Sequence, residues 1–238
     1  LRRKVPSRLN EPAEPLRRRR TVTTLRRVAG FRQYYEGDGV PIAVPIAPDD
    51  AAAAWRTQRR RFHDWFAALT DEEWMGPTRC AEWTVVEMAR HLVSAAQFLG
   101  YTLHESNKGN ATRLLEGFDA QVTPAEAAGQ FAGLAPGAVL DEWCRTDARV
   151  ESELEASAGN GWRATAEGPP GHLPAHLAVA HFLFDSWVHE RDAMEPAGQA
   201  APVNEGEARI VMSYVFALAG LASLDSDDSP RRLHAYTP

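Results

Sequence analysis

Between Ala51 and Leu69 the large apolar side chains Trp55, Phe62, Trp65, Phe66 and Leu69 recur at helical spacing, with Arg56, Arg59, Arg60 and Asp64 among them. This pattern predicts a first amphipathic helix. Pro41, Pro45 and Pro48 prevent helix before Asp49 and suit an extended linker. "TDEEW" at 70–74 reads as a short capped turn and "MGPTRCAEW" as a loop. A second long helix is predicted from Val85, because Thr84 and Glu87 have the T-x-x-E spacing in which hydroxyl and carboxylate satisfy the first free backbone N–H groups. The same device at Thr123 and Glu126, with Pro124 at the first helical position, predicts a third, shorter helix. Residues 138–157 continue the helical period and 158–171 break it with Gly and Pro; two further helices are expected over His172–Met194 and Glu205–Leu224. No strand-like alternation is read between residues 51 and 224. The expected fold class is therefore all-α, a four-helix-type bundle with short accessory helices over residues 49–224.

Charge changes the picture at the ends of the chain. Residues 1–32 carry 11 Lys and Arg against 2 acids, and the rest carries 15 against 30, within a net charge of −6. An acidic body argues against nucleic acid as its partner, since phosphate binding needs clustered positive charge. Residues 1–48 read as a disordered basic leader and Pro-rich linker, or as the product of a misplaced start; a transit peptide and a basic membrane or nucleic-acid tail are the other readings. No apolar run approaches the ~20 residues that cross a bilayer, so no membrane span is expected. Cys80 and Cys144 lack CxxC spacing and a secretory context, which predicts reduced thiols in a cytoplasm and small buried side chains. In the tail, residues 225–238, Leu233, Ala235 and Tyr236 look like the opening of a strand.

Candidate chemistry lies in "AVAHFLFDSWVHERDAM". His181, Asp185 and His189 are spaced four apart, on one helical face, among Ala, Val, Phe, Leu and Trp. An ionised carboxylate in such surroundings needs a partner or a metal. The plain readings are an Asp185 hydrogen-bonded to a His or Arg, or one on a solvated stripe. His91, two turns into the second helix and also flanked by apolar residues, adds a third donor. One His on one helix and an Asp/His pair on another supply three ligands to a divalent ion and leave a position open for water or substrate, the arrangement of catalytic zinc. His181 reads as a core or lining residue, with a supporting role at the site as the other reading, and His172 and His176 read as residues at a helix start. His63, His104 and His234 have no evident partner, and Trp83, Phe184 and Trp187 read as core rather than substrate wall. There is no Ser-His-Asp order, glycine-rich phosphate loop or H-E-x-x-H helix, so hydrolase, nucleotide-binding and metallopeptidase functions lack support.

Taken together, "TRCAEWTVVEMARHL" and "FDSWVHERD" resemble the metal-binding N-terminal domain of the mycothiol-dependent maleylpyruvate isomerase family, within the DinB-like helical bundles of actinobacteria. Cys80, Trp83, Thr84, His91 and Leu92 match the first part of the family pattern, and Asp185, His189 and Asp192 the second. The likeness covers about residues 50–224. It implies a DinB-like bundle and a divalent metal, usually zinc, bound by His91, Asp185 and His189, with Asp192 orienting His189 or, alternatively, paired at the helix end. The family's acid is typically Glu where this chain has Asp185, and a two-His, one-carboxylate set also suits ferrous iron or nickel. The family's isomerases carry a C-terminal α/β domain, of which the tail resembles a first strand; a truncated coding sequence and a lost domain are both open. The implied activity is thiol-dependent isomerisation or transfer: the metal activates a low-molecular-weight thiol such as mycothiol for attack on an electrophilic small molecule. The alternative is a non-catalytic metal-binding or ligand-sensing bundle. No residue is assigned to catalysis or to direct contact with the thiol.

Overall fold

A computed structural model of the chain describes residues 33–35 and 43–224, with side chains through residue 222. The expectations of a disordered leader and of a strand in the tail fall mostly on residues outside this set, as does His234. Seven helices run in the order α1 (Pro48–Ala67), α2 (Asp71–Trp74), α3 (Val85–Asn107), α4 (Thr123–Ala128), α5 (Pro136–Gly159), α6 (Ala175–Met194) and α7 (Glu205–Leu224). The fold is the expected all-α bundle. α1 begins at Pro48, whose missing N–H costs nothing in a first turn, and carries Asp49 and Asp50 at its positive end. At the start of α3, Glu87 accepts from the Thr84 backbone N–H at 2.7 Å and from its hydroxyl at 2.6 Å, so the second helix begins where the T-x-x-E spacing places it.

α6 is buried on almost every side: Leu177, Ala178, Val179, Ala180 and Leu183 are nearly inaccessible, and α1, α3 and α7 all pack on it. A helix with so little of its surface exposed belongs at the centre of a bundle. One core cluster joins Trp55, Leu99, Val150, Leu183 and Tyr214 from five helices; a second, around Phe62, Phe66, Met88 and Trp143, fills the end of the bundle near α2. Because α3 and α6 are neighbours in this core, a side chain on one reaches a side chain on the other.

Four expectations are corrected. A two-stranded antiparallel hairpin, β1 (Thr165–Gly168) and β2 (Gly171–Pro174), occupies part of the stretch read as free of strands. Each strand is four residues long, too short for a period of two to stand out between Gly and Pro. His172 accordingly lies in β2, with Nε2 2.9 Å from the Thr112 carbonyl, and α6 starts three residues later, at Ala175. α4 has no capping box, because the Thr123 hydroxyl accepts instead from the Asp119 N–H at 3.1 Å. Neither cysteine is fully buried: Cys144 is exposed and Cys80 partly so.

The hairpin fastens a surface segment to the bundle. Tyr34 bridges to Gly171, donating from N to the Pro170 carbonyl and accepting from His172 N, both at 2.9 Å. Gly171 has φ +100°, and a Cβ there would lie 2.5 Å from the Tyr34 carbonyl oxygen, so only glycine permits the approach. Gln33 reaches the Leu115 and Pro169 carbonyls and receives the Gly117 N–H. The loop after α3 is thereby held where Leu115 and Phe118 line a cavity between α3 and α6.

Candidate metal centre

His91 sits on the second turn of α3; Asp185 and His189 are one turn apart on α6. The structure brings the three together. His91 Nε2 lies 3.3 Å from Asp185 Oδ2, and His189 Nε2 lies 3.6 Å from Asp185 Oδ1. One ligand atom from each residue falls within a 4.8 Å group. The imidazole rings stand nearly perpendicular, centroids 5.1 Å apart, and the Trp83 indole covers both at 4.9 and 5.9 Å. Trp83 is thus a wall of the site as well as a packed residue.

These atoms approach one another without bonding. His91 Nδ1 and Nε2 and Asp185 Oδ2 are buried and have no hydrogen-bond partner among the described residues; the 3.3 Å pair is misaligned, and 3.6 Å is beyond a hydrogen bond. An unpaired carboxylate oxygen facing unpaired imidazole nitrogens is costly unless something completes the group. A tetrahedral ion with bonds of about 2.0–2.1 Å separates its ligand atoms by about 3.3–3.4 Å. The two separations from Asp185, each to a different carboxylate oxygen, are close to that value, and two imidazoles, once deprotonated, with one carboxylate are a donor set that divalent ions take. The residues therefore fit a metal.

The two nitrogens of His189 face different neighbours. Nε2 faces Asp185, whereas Nδ1 lies 3.2 Å from Asp192 Oδ2 and 3.8 Å from Cys80 Sγ. Asp192 is itself 3.6 Å from Cys80 Sγ, and its backbone carbonyl takes the Arg79 N–H at 2.9 Å, which docks the loop before α3 onto the end of α6. A carboxylate on Nδ1 is the geometry that fixes a ligand imidazole's tautomer. In the metal-free group the ring holds a second proton as well: against burial, which lowers it, the Asp192 hydrogen bond, the Cys80 contact and the Asp185 charge push His189 up to about 10, and a bound ion would displace the proton on Nε2. Burial raises Asp185, but the neighbouring imidazoles of His91 and His189 outweigh it and hold the carboxyl well below its usual range. His91 has no carboxylate partner of this kind, and its ring is held by packing against Trp83.

Two adjoining cavities open on this group. One, of about 510 Å³, is lined by Cys80, Glu82, Trp83, Gln121, Phe184 and His189 among others. The second, of about 100 Å³, is lined mainly by Phe98, Leu115, Phe118 and Phe182. His91, His181 and Asp185 line both.

Residues 55–194 match the family model described as "Mycothiol maleylpyruvate isomerase N-terminal domain". The chain belongs to this family. Both halves of the metal-site pattern, 80–92 and 185–192, lie inside the match. The curated relatives include two uncharacterized proteins of Mycobacterium tuberculosis, from strains CDC 1551 / Oshkosh and ATCC 25618 / H37Rv, each 27% identical over 143 residues. That alignment takes in 58% of this chain and 53% of the relatives, so the chain spans about half the length of the curated relatives it matches. Among solved structures, the mycothiol-dependent maleylpyruvate isomerase aligns with a TM-score of 0.59 at 16% identity, and a histidine-to-alanine mutant of it with 0.59 at 15%. Both alignments cover 71% of this chain and 68% of the other, a likeness of fold.

The remaining predicted histidines go elsewhere. His104 pairs with Glu153 at 2.9 Å, and His63 lies 3.4 Å from Cys144 Sγ. Sequence reasoning missed the place of Cys80 against His189 and the pairing of His181 Nδ1 with Tyr214 Oη at 2.8 Å. The contact partners are 109 and 33 residues apart, and no local period signals either.

Proposed function

We propose that this chain binds a divalent metal, zinc first, through His91, Asp185 and His189, and uses it to activate a low-molecular-weight thiol for reaction with an electrophilic small molecule. The observation that carries the reading is the convergence of buried, unpaired donor atoms from α3 and α6 beside a 510 Å³ cavity, a size usual for small-molecule sites. Membership of the family supports mycothiol as the thiol.

A bound divalent ion supplies Lewis acidity, which keeps a thiol of ordinary pKa about 8.5 deprotonated at neutral pH. The chain's own groups do the rest. Asp192 holds the proton of His189 on Nδ1 and so leaves Nε2 as a lone-pair donor. Trp83 packs against both imidazoles, while Phe184 and Leu218 bound the cavity with hydrocarbon. Cys80 faces Nδ1 of His189, the nitrogen turned away from Asp185. It cannot join the other three residues on one ion, and this favours an open position over a closed structural site.

The test is metal analysis of the purified full chain and of His91→Ala, Asp185→Ala and His189→Ala, with circular dichroism as the check on folding. The reading predicts stoichiometric metal in the parent, loss in all three folded variants, and thiol binding only in the metal-loaded parent. A parent that takes up no divalent metal on reconstitution would overturn it.

A further inference from the structure

His181 lies one turn before Asp185 and lines both cavities, yet no part of the proposed metal chemistry uses it. Its partner is Tyr214 on α7, a helix outside the residues that the family model matches. Tyr214 is 2% exposed, and its hydroxyl has no other hydrogen-bond partner among the described residues. If Nδ1 carried the proton, the phenol O–H would be buried without an acceptor, at a cost of about 1–3 kcal/mol. The O–H therefore donates to Nδ1, and the proton of the neutral ring sits on Nε2. Burial holds the imidazole neutral, with a pKa down at about 4 against the opposing charge of Asp185, and burial likewise raises the Tyr214 phenol. His181 is partly exposed and lines both cavities, and its Nε2 has no hydrogen-bond partner among the described residues.

We infer that His181 Nε2–H is a fixed hydrogen-bond donor that selects, for the site described above, a substrate carrying a carbonyl or carboxylate oxygen on a short apolar body. The inference rests on the metal-site reading only for where the reacting centre lies. The alcove beside His181 sets the size of the body. At about 100 Å³ it is smaller than the roughly 150 Å³ apolar cavity that houses benzene, so it takes a chain of a few carbons rather than a substituted ring. Charge sets a second limit. Among the described residues no Lys or Arg lines either cavity, while Asp185 and Glu82 do. With no Lys or Arg in the lining, the cavities match a neutral or singly charged oxo compound better than a dianion. A neutral imidazole suits this task because it donates without first giving up a proton of its own charge state.

The experiment uses the full chain with 15N-labelled histidine, both metal-free and zinc-loaded, titrated with 2-pentanone and with n-pentane as the probe that lacks only the oxygen. The expected spectrum at neutral pH shows His181 as the Nε2–H tautomer, with that resonance shifting on addition of the ketone and not of the hydrocarbon. His181→Phe is expected to weaken the ketone about tenfold and leave the hydrocarbon within about twofold, as for loss of one neutral hydrogen bond. His181→Gln, which keeps a donor, should recover part of the loss, and Tyr214→Phe should give a mixture of tautomers. A charged or Nδ1–H ring in the parent, or equal weakening of both probes in His181→Phe, would overturn the inference. Failure to bind zinc with the ketone response intact would sink the metal reading alone, and normal zinc binding with no ketone response would sink this one alone.

Discussion

Two carboxylates in this molecule, one fully buried and one partly so, are treated in opposite ways. Glu167, at 0% exposure in β1, accepts from Tyr35 Oη at 2.6 Å, Thr112 Oγ1 at 2.7 Å, Leu114 N at 2.8 Å and Leu115 N at 2.7 Å. Its four donors come from the segment at 33–35 and from the loop after α3, so one side chain pins both to the hairpin. Asp185 on α6 has two imidazoles 3.3 and 3.6 Å away and no hydrogen bond to its Oδ2. The fold thus supplies a full set of donors where a carboxylate is structural. Where it leaves one incomplete, next to a cavity, the proposed function has a cation complete it.

The largest expected effect breaks the structural side of this contrast. Glu167→Gln turns one acceptor oxygen into a donor facing donors, and urea unfolding of the metal-free protein should show a loss of about 2–4 kcal/mol. The matching isosteric change at the other carboxylate, Asp185→Asn, should shift metal-free unfolding by less than about 1 kcal/mol while lowering zinc affinity at least about 100-fold, or about 2.7 kcal/mol, in a chelator competition. Equal stability losses in the two variants would erase the distinction. Asp192→Asn tests the support of His189; it should weaken zinc about tenfold by the same assay, the low end for a group that orients a ligand imidazole. The smallest effect is expected at the strap. Gln33→Ala removes the contacts to Leu115, Pro169 and Gly117, and should cost about 1 kcal/mol and speed amide exchange at Gly117.

What the sequence disclosed follows the range of each interaction. Thr84 and Glu87 are three residues apart, and Asp185 and His189 four, so the start of α3 and the polar ladder on α6 were both legible from spacing. That His91 lies level with the ladder depends on α3 packing beside α6, which the resemblance implied and periodicity alone does not. The clamp at Glu167 was invisible, because its donors are 52 to 132 residues away along the chain and the hairpin that carries it has four-residue strands. Cys80 was misjudged for the same reason. Its type and local spacing say small and apolar, whereas the Arg79–Asp192 backbone bond delivers it to His189.

The most direct test of the central claim is zinc X-ray absorption spectroscopy on the zinc-loaded chain without added thiol. The account predicts a shell of nitrogen and oxygen at about 2.0–2.1 Å with the outer scattering of two imidazoles. A shell containing sulfur at about 2.3 Å would move the ion to Cys80, His189 and Asp192, and would contradict the assignment to His91, Asp185 and His189.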